Sequence, residues 1–230
     1  MILAAGRGER MRPLTDRLPK PLLQVGGKSL IEHQIVRLAH AGFTEIVINH
    51  AYLGEVIEVA LGKGEHYGVN IHYSHESLVL ETAGGIANAL PLLTNKTQEQ
   101  PFLVVNADIY CEMDYVSLMP VLQHMQANPE QNFAHLVLVD NPAHHAAGDF
   151  ALDTTNVTLA GESKLTFSGI GVYQAKLFAD VTPHKAVKLA PLIRQAIKEG
   201  KVSGEYFRGV WVDVGTPERL NSLDELLKRH

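Results

Sequence analysis

Five cations, Arg7, Arg10, Arg12, Arg17 and Lys20, fall within a fourteen-residue window. The chain as a whole is acidic, with 20 Lys and Arg against 25 Asp and Glu and a formal net charge of −5. The cluster follows the apolar run Met1–Ala5, which reads as a buried strand, and the Gly6-Arg7-Gly8 turn. A strand opening into glycines lets backbone N–H groups approach phosphate closely. Two common phosphate loops are excluded: a dinucleotide fingerprint needs glycine where Met11 stands, and a Walker loop ending in Gly27-Lys28-Ser29 needs glycine where Leu22 stands. Pro19 and Pro21 are expected to hold Lys20 in extended backbone and limit where its amine can go. Fixed cations beside backbone donors suit a polyphosphate. Glu9, an acid within the cluster, is expected to point away. A tight turn with a solvated basic face is the alternative these residues leave open.

Two carboxylates far apart in sequence, Asp108 and Asp213, each follow an apolar strand and precede a turn. Taken singly, such residues most often cap turns. Other tempting groups carry less. His144-His145 lacks a partner at metal-binding spacing. No Gly-x-Ser-x-Gly elbow occurs. Cys111 reads as a packed thiol and Trp211 as a wall beside the Asp213 strand.

The elements that must position these residues alternate. Expected helices cover Leu30–Ala41, Leu53–Leu61, Gly84–Leu93, Ala186–Glu199 and Pro217–Lys228. Expected strands cover Glu45–Asn49, Val69–Ser74, Phe102–Asn106, Leu165–Tyr173, Val202–Phe207 and Val210–Val214. Strands and helices at this spacing predict an α/β fold: a Rossmann-like, mixed but mostly parallel central sheet with helices on both faces. At 230 residues the chain is read as one domain. A nucleotide-binding half covers about 1–130, an acceptor-binding portion about 131–215, and a closing helix 216–230. With 46% hydrophobic and 20% charged residues it can bury a sizeable core. The acidic balance argues against a dedicated nucleic-acid binder. One cysteine argues against internal disulfides and fits a reducing cytoplasm, and no apolar run is long enough for a membrane span. The opening residues carry no basic leader and are not read as a signal peptide.

Four motifs carry a resemblance that runs from residue 1 to about 220: Leu3-Ala4-Ala5-Gly6-Arg7-Gly8-Glu9-Arg10-Met11-Arg12-Pro13-Leu14-Thr15 with Pro19-Lys20-Pro21-Leu22; Leu80-Glu81-Thr82-Ala83-Gly84-Gly85; Asn106-Ala107-Asp108; and Trp211-Val212-Asp213-Val214-Gly215-Thr216. Together they resemble the signature of the sugar-1-phosphate nucleotidylyltransferases. Leu138–Pro142, Gly148–Phe150, Thr166–Gly169 and Lys188–Pro191 look most like the members that use UTP and N-acetylmuramic acid 1-phosphate in cell-wall recycling. GTP with mannose 1-phosphate, dTTP with glucose 1-phosphate, and a non-catalytic nucleotide sensor are the alternatives.

The resemblance implies attack of a sugar-phosphate oxygen on the α-phosphorus of a nucleoside triphosphate, with Mg²⁺ as cofactor held by Asp108 and Asp213. The nucleophile is already ionised, so alignment and charge neutralisation suffice. Catalytic roles are implied for Arg12 at the β- and γ-phosphates, for Lys20 beside the α-phosphate, and for Asp108. Leu3, Ala5, Gly6, Arg7 and Gly8 would hold the nucleotide. Glu76, Glu81, Thr82, Gly84 and Gly85 would meet the base, and Glu76, as an acceptor-only group, fits either uracil or guanine. Asn106, Asp140, Gly148, Asp149, Ser168 and Lys188 are candidates for the sugar phosphate. Lys188, Arg194 and Arg208 compete for the acceptor's carboxylate. The partners expected are UTP and a sugar 1-phosphate, with no nucleic acid and no membrane, in a monomer or small homo-oligomer.

Overall fold

Apolar runs bounded by loops form the strands, and hydroxyl caps open the first and last helices, Ser29 and Thr216, in a computed structural model that describes residues 1–94 and 100–229. Ser29 caps the first helix in a reciprocal box: its hydroxyl receives the Glu32 amide at 3.4 Å, and its own amide donates to Glu32 Oε2 at 2.7 Å. The helix ends where Gly42 takes a φ of 88°.

The strands are β1 (Ile2–Leu3), β2 (Gln24–Val25), β3 (Lys28–Ser29), β4 (Glu45–His50), β5 (Asn70–His75), β6 (Phe102–Asn106), β7 (Ile109–Cys111), β8 (Ala134–Val139), β9 (Ala151–Asp153), β10 (Asn156–Thr158), β11 (Thr166–Tyr173), β12 (Val202–Tyr206) and β13 (Trp211–Asp213). The helices are α1 (Leu30–His40), α2 (Gly54–Leu61), α3 (Glu81–Leu93), α4 (Met119–Ala127), α5 (Leu189–Lys198) and α6 (Pro217–Leu227). Nine strands form one mixed sheet in the order β5-β4-β1-β6-β11-β8-β12-β10-β9, so the fold is α/β. The last residue of the expected closing helix, His230, lies outside the described residues.

Two contact units divide the chain. One holds Met1–Val79, Val105–Val116 and the chain from Val210 onward. Its strands β5, β4 and β1 run parallel, and β1 also pairs in parallel with the end of β6, Leu3 opposite Asn106. A separate two-stranded ribbon pairs β7 with β13, Asp213 opposite Ile109. Met11, Leu23, Val25, Leu30, Tyr110, Val214, Leu220 and Leu223 form a buried cluster tying the basic loop, the ribbon and α6 together. Each fully buried side chain of this kind contributes roughly 1.5–3 kcal/mol. The other unit holds Leu80–Val104 and Ser117–Gly209. There β8 pairs antiparallel with β11 and parallel with β12, and the β9–β10 hairpin joins β12 through β10.

Several local expectations change. The opening strand is only Ile2–Leu3, and α2 begins at Gly54 because Leu53 is left-handed at φ 54°. The segment between β1 and α1 is not plain loop: it holds three short 3-10 turns (Glu9–Met11, Leu14–Asp16, Lys20–Leu22) and the β2–β3 pair. Lys20 therefore opens a tight turn instead of lying extended. Its carbonyl accepts the Leu23 amide at 3.1 Å, while the extended conformation falls on Pro19. Strand β8 and helix α4 have no counterpart among the expected elements.

Candidate active site

The basic loop is folded onto itself by its glycine. Gly8 is left-handed at φ 68°, and a Cβ there would meet Lys20 Cβ at 3.0 Å and Thr15 Cγ2 at 3.1 Å. The Gly8 carbonyl accepts the Met11 amide and the Thr15 hydroxyl, both at 2.9 Å. The turn thus packs directly on the lysine between the two prolines, which leaves Lys20 only 7% exposed. Arg12 and Arg7 line a small cavity of about 160 Å³ with Glu9, Thr15, Asp16 and Tyr52. Glu9 therefore faces this cavity, against expectation. Asp16 is a second acid within the cluster, and it pairs with Arg12 at 2.6 Å. Tyr52 carries the Arg7 guanidinium over its ring at 5.3 Å and donates its hydroxyl to Asp16 O at 3.0 Å.

The ribbon solves the separation between the two aspartates. Asp108 sits in the two-residue turn between β6 and β7, and Asp213 ends β13 directly opposite Ile109. The Val214 amide donates to Asp108 O at 3.0 Å, closing the junction. Each carboxylate holds a cation: Lys20 Nζ lies 2.5 Å from Asp108 Oδ2, and Arg219 Nη1 lies 2.6 Å from Asp213 Oδ2. Arg219 Nη1 also donates to Asp213 O at 3.1 Å. The guanidinium lies against Gly215, where a Cβ would meet Arg219 Nη2 at 2.8 Å. Lys20, Asp108 and Asp213, implied by motifs from three parts of the chain, are thus brought into one constellation within one unit. Two hard carboxylates that attract positive charge, with remaining ligands left to water and phosphate, are a donor set that fits Mg²⁺.

Leu3, Ala5 and Gly6 form the exit of β1 toward the loop, and Leu3 O accepts the Ala107 amide at 3.0 Å beside Asn106. Glu76 is buried at 3% exposure and its Oε1 accepts from Asn49 Nδ2 at 2.7 Å.

The remaining candidates lie in the second unit. Glu81 opens α3 with a φ of 59° and is exposed. Thr82 follows in the first turn, and Gly85 is buried. The Gly84 amide donates to Val187 O at 3.1 Å, and a Cβ at Gly84 would meet Lys185 O at 2.2 Å, so this glycine serves close packing. Asp149 accepts the Phe167 amide at 2.9 Å and faces His145 at 3.0 Å. Ser168 is buried, donating to Val137 O at 2.7 Å. Gly148 is left-handed and packs on Asn141 and Lys164. Asp140 accepts the Tyr206 hydroxyl, and Arg208 lies over the Tyr206 ring at 4.7 Å. Lys188 caps α5 and, like Arg194, is exposed.

A family model described as nucleotidyl transferase matches residues 1–229. The chain belongs to the nucleotidyl transferase family. This transferase is 51% identical to the N-acetylmuramate alpha-1-phosphate uridylyltransferase of Neisseria meningitidis serogroup B, over 98% of its own length and 96% of the relative's. It is 34% identical to the protein of the same name from Caulobacter vibrioides, over 95% and 92% of the two lengths. In fold it is similar to a putative glucose-1-phosphate thymidylyltransferase from Bacillus anthracis: TM-score 0.83 at 21% identity, covering all of this chain and 94% of that one.

Three residues that contact the candidate groups, Arg219, Tyr52 and Asn49, are not among the expected site residues. Arg219 sits six positions beyond Asp213, within the first turn of α6, and the glycine before it was the available signal. Tyr52 and Asn49 carry no motif of their own and become visible only through their partners. Cys111 is buried in β7, and desolvation pushes its thiol up to about 11, which suits an inert packed group. Among the described residues no helix is long and apolar enough to cross a membrane.

Proposed function

We propose that this transferase moves a uridylyl group from UTP to N-acetylmuramic acid 1-phosphate, giving UDP-N-acetylmuramate and pyrophosphate, in the cytoplasm. The observation that carries this reading is the 51% identity, spread over nearly the whole of both chains, to a uridylyltransferase of that specificity. One phosphate oxygen of the sugar phosphate attacks the α-phosphorus, a P–O bond forms, and the bond to the β-phosphate bridging oxygen breaks. Pyrophosphate leaves with the electron pair, so no general base is required.

The chain's own groups do the aligning. The backbone from Leu3 to Gly8 holds the triphosphate, and Arg7 and Arg12 face its outer phosphates. Lys20, fixed under Gly8, offsets the repulsion between two approaching anions at the α-phosphate. Asp108 and Asp213 would hold Mg²⁺, whose charge offsets that building on the triphosphate. Lys20 and Arg219 pair with the same two carboxylates and balance part of their charge. On the acceptor side Arg208 is the cation that Tyr206 links to Asp140, and we assign it to the lactyl carboxylate. Pyrophosphate release across four triphosphates and several sugar 1-phosphates tests the reading. Strongest turnover is expected with UTP and N-acetylmuramic acid 1-phosphate. A preference for GTP with mannose 1-phosphate overturns it.

Glu81 belongs to the same reading. A non-glycine residue in the left-handed region is strained by roughly 1–2 kcal/mol, and such strain persists where a side chain has a task. Glu81→Gly is expected to raise stability by up to about 1 kcal/mol, the relief being partly offset by a freer unfolded chain. Catalytic efficiency with UTP should fall in the same variant. Denaturant unfolding and steady-state kinetics measure both, and unchanged efficiency removes Glu81 from the nucleotide site.

A further inference from the structure

Strand β1 is only two residues long, so its ladder ends at Leu3, before the chain turns into the glycine loop. Ala4, the next residue, is 4% exposed, and a buried amide without an acceptor is costly. Its N–H donates to Asn49 Oδ1 at 3.0 Å. Asn49 lies on β4 opposite Leu3 and is 2% exposed. Its Nδ2 donates to Glu76 Oε1 at 2.7 Å, and the Glu76 amide donates to His50 O at 2.9 Å. A continuous buried path therefore runs from the residue after β5, through β4, to the first residue past β1.

The polarity of this path is fixed at each end. Ala4 N–H can only donate, so the Asn49 carbonyl oxygen must face it and the Asn49 NH₂ must face away. Beyond that NH₂ stands the Glu76 carboxyl, whose oxygen accepts it and so orients the amide in one way only. Glu76 itself is 3% exposed, so this oxygen meets Asn49 out of bulk water.

We propose that Asn49 and Glu76 form a positioning relay that fixes the β1 exit, and that Glu76 acts on the triphosphate grip through Asn49 and the loop backbone. The inference rests on the reading that Leu3–Gly8 grips the triphosphate. Backbone donors bind a triphosphate more tightly when they are held in place beforehand, so a relay of two side chains can govern affinity without touching substrate.

The test reverses the relay. Asn49→Asp sets a second carboxylate against Glu76. It is expected to raise the KM for UTP at least tenfold with a smaller change in kcat, and by the same factor for any other triphosphate accepted. In the double variant Asn49→Asp with Glu76→Gln, the new amide at 76 donates to the new carboxylate at 49, whose other oxygen still receives Ala4 N–H. The double variant is expected to return within about threefold of wild-type KM, with calorimetric UTP affinity recovering in parallel. A double variant as impaired as the single overturns the relay. If Asn49→Asp does not fold, recovery of both folding and UTP affinity in the double variant supports the relay, and no recovery refutes it. Wild-type enzyme runs alongside. If it prefers another triphosphate, the uridylyl reading has failed, and the relay is judged with the preferred one.

Discussion

Lys20→Ala is expected to lower turnover by on the order of 100-fold or more, the scale for losing one preorganised charge-stabilising group. The argument is positional. Lys20 is held by Pro19 and Pro21, roofed by Gly8, and joined to Asp108 at 2.5 Å, so its amine is placed before any ligand arrives. A flexible surface lysine would lose rotamer freedom on binding, whereas this one has already lost it. The loss should therefore appear in kcat more than in KM. Lys20→Met, which keeps most of the buried stem, separates charge from packing and should be nearly as impaired. Single-turnover kinetics checks both, and rates within threefold of wild type would show that the basic loop serves some other purpose.

Asp108→Asn and Asp213→Asn should each lose roughly 1,000-fold in Mg²⁺-supported turnover, since a bound divalent ion contributes several kcal/mol of charge stabilisation and each 1.36 kcal/mol is tenfold. Their side effects differ. Asp108→Asn leaves a 7%-exposed Lys20 without its anion, a buried cation that is costly to keep charged, so this variant should also be less stable. Asp213→Asn faces Arg219, which keeps a second bond to the Asp213 backbone carbonyl. It should fold normally. Titrating Mg²⁺ against rate and Mn²⁺ against spin-probe signal reads the metal directly. An unchanged metal dependence in both variants would remove the ion from these residues.

Much of this was legible in the residues. The glycine turn, the proline-flanked lysine and the two aspartates were identified from type and spacing together with the family resemblance. Helix α1 and strand β6 were placed within a residue because Gly42 and the Asn106-Ala107-Asp108 turn punctuate them. What stayed hidden is what depends on long-range partners. Strand β8 was missed because Ala134–Val139 is uniformly buried and shows no alternation, and helix α4 because Met119–Ala127 buries only Met125. Flanking prolines alone favour extended backbone at Lys20, but the i to i+3 bond from the Leu23 amide closes a turn there. Asn49 acts through an atom 27 positions away, which no local pattern announces, whereas Arg219 acts through one only 6 away, where the preceding glycine is the signal.

The β7–β13 ribbon has a consequence for how the protein comes into being. Ile109–Cys111 waits for a partner that is translated about a hundred residues later. On the proposed site, a polypeptide still emerging from the ribosome carries the glycine loop, its lysine and one aspartate but lacks the other. Chains cut ahead of Trp211 are therefore expected to show no turnover, which an assay of truncated protein checks.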